Sequence, residues 1–327
     1  MKIAVVGLGA MGGLIAAKLV QAGHQVQALA RGKTLQAVQT HGLQLEQAEG
    51  LLRVDLVVSD QAERLGKHDL VIVAVKAQAL AGLAGSIASL RADDGVVLTA
   101  MNGVPWWFFQ GLGGSLNGLK LKTVDPEGLL DRSIPHQAII GAVLHMSAST
   151  PAPAKVLHAM GSRIIVGEPG GGSSQRLEAL THLLRSVGFA AEASMRIQDD
   201  IWFKLWGNMT MNPVSAITGA TIDKILDDPA VYRLCVDVMQ EARLLGESFG
   251  CCIDQTPQER QAVTRQLGAF KTSMLQDVEA SRPVELDALL TVVHEIARQL
   301  AVETPWIDAL LGLSRLTMQT RGLYPHT

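Results

Sequence analysis

The chain has 327 residues, 48% apolar and only 4% aromatic, with a formal net charge of -3. That length holds two domains with their own cores, built from Ala, Leu, Val and Ile rather than from aromatic rings. A near-neutral balance without basic clusters gives no sign of nucleic-acid or membrane-surface binding, and the three cysteines, Cys235, Cys251 and Cys252, form neither a disulfide framework nor a zinc spacing and suit a reducing cytoplasm.

The opening MKIAVVGLGAMGGLIAAKLV is apolar enough to imitate a signal peptide. Glycines at motif spacing, Lys18 inside the apolar run and a strand pattern directly behind it predict a folded start instead. No stretch has the uninterrupted apolar length of a membrane span. Residues 2–6 form a short apolar, β-branched run, residues 11–22 have helical spacing, Gly23 stops the helix, and 25–30 reads as a second strand. Further short apolar runs follow at 52–58, 70–75 and 96–100, with a helical stretch at 77–90. This alternation predicts a doubly wound parallel sheet covered on both faces.

Residues 106–133 are irregular and rich in glycine and read as a long excursion from the first domain. Trp106, Trp107, Phe108 and Phe109 are either its core or a cover for a ligand. Strands are predicted at 137–146, 163–166 and 189–191, a flexible turn at 168–174 and a helix at 175–187. Near Met195 the pattern becomes almost purely helical, over 199–217, 229–249, 258–276, 285–300 and 306–320. The expected division is therefore an α/β domain over 1–194 and an all-α domain over 195–327.

Gly7-Leu8-Gly9-Ala10-Met11-Gly12 fits G-x-G-x-x-G with a strand before it and a helix after it, the context of a Rossmann-type dinucleotide loop. Gly7 makes the turn off the strand, Gly9 lets backbone approach a pyrophosphate, Gly12 lets helix pack on strand, and the helix N-terminus offers free N–H groups. An NAD-binding chain usually ends its second strand in Asp or Glu. This one has Arg31, with Lys33 close behind, so a 2′-phosphate is matched and NADP(H) is the expected cofactor.

In the helical half, Lys204, Asn208 and Asn212 stand at i, i+4 and i+8, one polar stripe in an otherwise largely apolar segment. A desolvated lysine with a lowered pKa can hand a proton to a ketone oxygen as hydride reaches the carbon, and asparagine amides can orient a substrate without adding charge. Residues 271–277 bring Ser273 and Asp277, and Glu285 opens the next helical stretch, where it complements the helix dipole if it does nothing else. Asn102-Gly103 and Lys76 follow strands at the carboxyl edge, where open α/β sheets bind ligands.

Taken together, these residues resemble the ketopantoate reductases (2-dehydropantoate 2-reductases) in matching order over nearly the whole chain: the glycine loop, Arg31, Val75-Lys76, Asn102-Gly103, the Lys204/Asn208/Asn212-Pro213 helix, Ser273-Met274-Leu275-Gln276-Asp277 and Glu285. The resemblance implies NADPH-dependent reduction of a 2-keto acid in pantothenate biosynthesis, by a Rossmann domain followed by a helical domain. It implies Lys204 as proton donor, Asn208 and Asn212 on the substrate's polar groups, Ser273 on its carboxylate, and Glu285 as a catalytic residue near substrate and nicotinamide ribose. Asn102 and Lys76 would line the nicotinamide side, Asn102 also touching substrate, and Ser147 would make a cofactor contact. A homodimer through the helical domain, a cytoplasmic location and no metal are implied as well. Two departures stand out: the stretch after Asn102 is longer than in compact members, and Ile222 lies near where a further substrate-binding asparagine is expected. A β-hydroxyacid dehydrogenase shares the GLGxMG opening and a lysine one turn before an asparagine, but its glycine-rich substrate motif is not evident. A non-catalytic NADPH sensor would keep the loop and Arg31 with no use for the Lys204 stripe.

Overall fold

The computed structural model describes residues 1–326 and divides into two compact units. The first comprises Met1–Met101, Trp106–Gly113 and Glu127–Asp200; the second comprises Asn102–Pro105, Gly114–Pro126 and Ile201–Thr327. The sequence expectation placed the division after residue 194, whereas the structural division falls between Asp200 and Ile201.

In the first unit the chain runs β1 (Lys2–Val6), α1 (Ala10–Gln21), β2 (Gln25–Leu29), α2 (Gly32–His41), β3 (Leu43–Gln47), β4 (Gly50–Val54), β5 (Val57–Ser59), β6 (His68–Val73), α3 (Ala77–Leu80), α4 (Ala84–Leu90), β7 (Arg91–Thr99), α5 (Leu129–Ser133), β8 (Ile139–Ala152), β9 (Lys155–Gly167), α6 (Gln175–Ser186) and β10 (Ala190–Ser194). The strands form one sheet in the order β4-β3-β9-β8-β7-β6-β1-β2-β5, with β10 added on β9. The run β5-β2-β1-β6-β7-β8 is parallel throughout. Ile3, Ala4 and Val5 are fully buried, as a central parallel strand requires. The strand order reverses at β1, so the glycine loop leaves the sheet at its topological switch point.

The sheet is mixed rather than wholly parallel, because β8 pairs β9, and β3 pairs β4, in antiparallel fashion. The apolar run 52–58 is two strands: β4 at one edge of the sheet and β5 at the other, parted at Asp55-Leu56. Trp106, Trp107, Phe108 and Phe109 are loop core, none more than 3% exposed. The Trp107 indole N–H donates to Thr99 Oγ1 at 3.2 Å, and Gly141 leaves the ring its space, since a Cβ there would stand 2.4 Å from it. The turn after β9 is anchored rather than flexible: Ser174 donates to Glu168 at 2.5 Å and Arg176 Nε donates to it at 2.8 Å.

Helix α7 (Ile197–Thr218) crosses the division, and α8 (Ile222–Asp227), α9 (Pro229–Ser248), α10 (Pro257–Arg265), α11 (Ser273–Glu279), α12 (Val292–Gln299) and α13 (Pro305–Thr320) follow. The predicted helix 258–276 is broken: Gly268 takes a positive φ of 61° behind α10, and Thr272 caps a new helix by accepting from the Leu275 N–H at 3.2 Å. The predicted start at Glu285 is a π-helical turn, Asp287–Thr291, running into α12. The second half of the excursion belongs to this unit because Glu295 on α12 accepts the backbone N–H groups of Lys122 and Thr123, each at 2.8 Å. Ile222 is core, 2% exposed. Among the described residues no helix is long and apolar enough to cross a membrane.

Candidate active site

The glycine loop in the first unit meets each requirement of its motif. Gly7 has φ +91°, and a Cβ there would lie 2.5 Å from Val75. A Cβ at Gly12 would lie 1.9 Å from the Gly7 carbonyl oxygen, so this crossing of helix and turn admits only glycine. A side chain at Gly9 would meet nothing within 4 Å, and no side chain caps α1. Gly9, the first N–H groups of α1 and the neighbouring Leu8, Ala10 and Met11 backbone thus fit a dinucleotide pyrophosphate. Gly13 adds a constraint that the motif does not contain: its Cβ would stand 2.6 Å from Val156 on β9.

At the end of β2, Ala30 donates to the Ser59 carbonyl, and Arg31 takes the N-cap position of α2 in extended conformation. Arg31 and Lys33 are exposed, and the first turn of α2 holds no acid and no side-chain cap. A phosphate there would meet two cations together with the positive end of a helix. Lys76, half-buried, is the N-cap residue of α3 just past β6. Ser147, half-buried on β8, sits where the β8/β9 register shifts on both sides of it.

In the second unit the indole N–H of Trp202 donates to Ala242 O at 3.2 Å and that of Trp206 to Met239 O at 2.6 Å. These bonds fix the rotation of α7 against α9. Lys204 and Asn208 each follow a tryptophan by two residues, about 200° of helical turn, so their stripe points away from α9. Asn208 is half-buried and Asn212 is 5% exposed.

Lys204 Nζ donates to Asn102 Oδ1 at 2.7 Å. Burial lowers the lysine pKa to about 8, against the carboxylate of Glu285, whose negative charge acts to raise it. Lys204 is therefore engaged by two other predicted residues, one 102 residues before it and the other about 80 residues after it in the chain. Gly103 makes this possible. Its φ is +82°, a Cβ would lie 2.2 Å from Ala288 O, and the next residue, Val104, donates its N–H to that oxygen at 2.9 Å. The Asn102 segment is thus pinned to the π turn that begins just after Glu285.

Ser273 stands exposed at the first position of α11. Of the Ser273–Asp277 segment the acid is structural, paired with Arg282 at 3.1 Å. Thr272, Gly207 and Arg260 escaped the sequence reading; only a T-x-x-L cap pattern and a glycine inside a helix could have flagged the first two.

Both parts of the chain match known proteins. Residues 3–171 match the family described as "Ketopantoate reductase PanE/ApbA" and residues 196–318 its C-terminal part, "Ketopantoate reductase PanE/ApbA C terminal". A 2-dehydropantoate 2-reductase of Mesorhizobium japonicum is 40% identical over 325 residues, 99% of this chain and 100% of the relative. A crystal structure from Ralstonia solanacearum MolK2, assigned to the ketopantoate reductases, is 51% identical with a TM-score of 0.96 over 99% of both chains. A D-mandelate dehydrogenase with NADH and anilino(oxo)acetate shares the fold, at TM-score 0.85 and 22% identity over 98% of this chain and 100% of the other.

Proposed function

This chain belongs to the ketopantoate reductase family, oxidoreductases acting on a CH–OH group, and we propose that it reduces 2-dehydropantoate (ketopantoate) to pantoate with NADPH in pantothenate biosynthesis, with Lys204 as proton donor. The observation that carries the proposal is the half-buried lysine held by Asn102 beside Glu285. Because the same fold houses NADH in D-mandelate dehydrogenase, the fold alone leaves the cofactor open; Arg31 and Lys33 favour NADPH, with Gly7, Gly9, Gly12 and the start of α1 on its pyrophosphate and Lys76 and Ser147 further along it. When bound, the reduced nicotinamide supplies a hydride to the keto carbon.

The protein's part is the other half of the reaction. As charge builds on the keto oxygen, the Lys204 ammonium donates its proton there, leaving a neutral amine and the 2-hydroxy acid. A pKa near 8 keeps the ammonium protonated at neutral pH and makes its proton easier to release than that of a solvated lysine. Asn102 fixes its direction, Glu285 preserves its charge, Asn208 and Asn212 orient the substrate, and Ser273 takes its carboxylate. A cytoplasmic location belongs to this reading, as does a homodimer through the helical unit, where Trp306, Leu313 and Leu316 leave α13 apolar and exposed.

A panel of 2-keto acids and 3-hydroxy acids, assayed with NADPH and NADH, tests the proposal. Ketopantoate with NADPH is expected to give the highest kcat/KM. Oxidation of a 3-hydroxy acid without reduction of any 2-keto acid would overturn it.

A further inference from the structure

Arg260 is a half-buried cation without a counter-ion among the described residues. It lies on α10, its guanidinium carbon 4.9 Å from the centroid of the Phe203 ring on α7. Its Nε is fully enclosed and has no hydrogen-bond partner among the described residues. A ring contact engages the charge but satisfies none of the N–H donors. Beside it on α7 is Gly207, where a Cβ would stand 3.3 Å from Nη2 and 3.5 Å from Nε. A glycine inside a long helix is unfavourable in itself; here it is the notch that admits the guanidinium. Burial of an unpaired charge is costly, and burial also lowers the arginine's pKa. Such a group suits an oxygen that arrives with a ligand.

The position on α7 says which oxygen. Phe203 and Gly207 flank Lys204 in sequence, and at 100° per residue Gly207 lies about 60° around the helix from Lys204 and about 4.5 Å further along it. That offset is the length of a short keto acid. With the keto oxygen at Lys204, the guanidinium lies toward the substrate's far end, not its keto group.

We propose that Arg260 is a specificity-determining residue that donates to the distal oxygen of the 2-keto acid, which in ketopantoate is the 4-hydroxyl group. The proposal rests on the reductase reading and adds a selection for substrates whose far end bears an acceptor oxygen. Gly207 and Phe203 shape the subsite, the first by leaving space and the second by bracing the guanidinium from its face.

The test compares ketopantoate with its analogue lacking the 4-hydroxyl, in the wild type, Arg260→Met and Arg260→Lys, with thermal melting of each. The wild type is expected to prefer the hydroxylated substrate by about 10–100-fold in kcat/KM, the span of a hydrogen bond to a charged donor. Arg260→Met should erase that preference, chiefly through KM, and leave the analogue within about twofold of the wild type; Arg260→Lys should restore part of it. Equal reduction of both substrates by the wild type would overturn the proposal and leave the reductase reading standing, and this arm does not depend on a variant folding. Equal losses on both substrates in Arg260→Met would make Arg260 structural and overturn it too. Reduction of neither substrate by the wild type would sink the reductase reading itself.

Discussion

Replacing Lys204 with methionine is expected to lower kcat for keto acid reduction by about 10²–10⁴-fold, the usual contribution of a positioned general acid. Methionine keeps much of the stem and its packing while removing the ammonium. It also leaves Asn102 Oδ1 without the donor now 2.7 Å away. Since the proton transfer belongs to the transition state, kcat and kcat/KM should fall together while the dissociation constant for NADPH stays close to that of the wild type. Steady-state kinetics with a cofactor titration measures both. Unchanged turnover would mean that the proton reaches the keto oxygen by another route, and the catalytic assignment of the Lys204 stripe would fail.

The second large effect concerns the cofactor. Arg31→Ala should weaken NADPH binding by about 1.5–3 kcal/mol, or roughly 10–150-fold, the range for a charge-assisted hydrogen bond. NADH binding should change by less than about twofold. Arg31 is exposed, so added salt should erode the NADPH advantage, and the two cofactors must be compared at one ionic strength. Lys33, also exposed, should contribute less than Arg31, because an ammonium cannot grip a phosphate through two parallel bonds. Equal losses for NADPH and NADH would rule out a role on the 2′-phosphate.

Much of this was legible in the sequence because it is written locally. The glycine loop, its flanking strands and Arg31 lie within about thirty residues, and Gly7 and Gly12 answer short-range steric demands. The Lys204 stripe is likewise visible, since helical periodicity alone places the three polar residues on one face. Beyond these, the limits have physical causes. The run 52–58 is mostly apolar, and Arg53 and Asp55 fall within it as solvent-facing positions of a single strand would, so its pattern does not reveal that the chain changes edges of the sheet at Asp55-Leu56. Strand β3, Leu43–Gln47, alternates apolar and polar residues too briefly to stand out, and its place is set by pairing with distant β9. Helix α10 and helix α11 share a helical period, and the positive φ at Gly268 and the Thr272 cap that separate them are tertiary and local details the period does not carry.

The site shows the same division. Asn102 and Glu285 could be singled out as candidates from motif resemblance, but their partnership with Lys204 is tertiary. It depends on Gly103 passing close beneath the Ala288 carbonyl of the π turn. Arg260 was invisible for the opposite reason. In QERQAVTRQ it looks like one more charge on a solvated helix, and only the structure shows it stacked on Phe203 over the space left by Gly207.

If one half-buried lysine supplies the proton for keto acid reduction, the pH dependence of kcat/KM shows it most directly. Burial lowers the Lys204 pKa to about 8, and the donor is the protonated form, so activity is lost as pH rises through that value. The predicted profile is level at neutral pH and falls about tenfold per unit above about 8, with that ionisation missing from whatever activity Lys204→Met retains. A profile that stays flat through this range, or rises across it, would contradict the account.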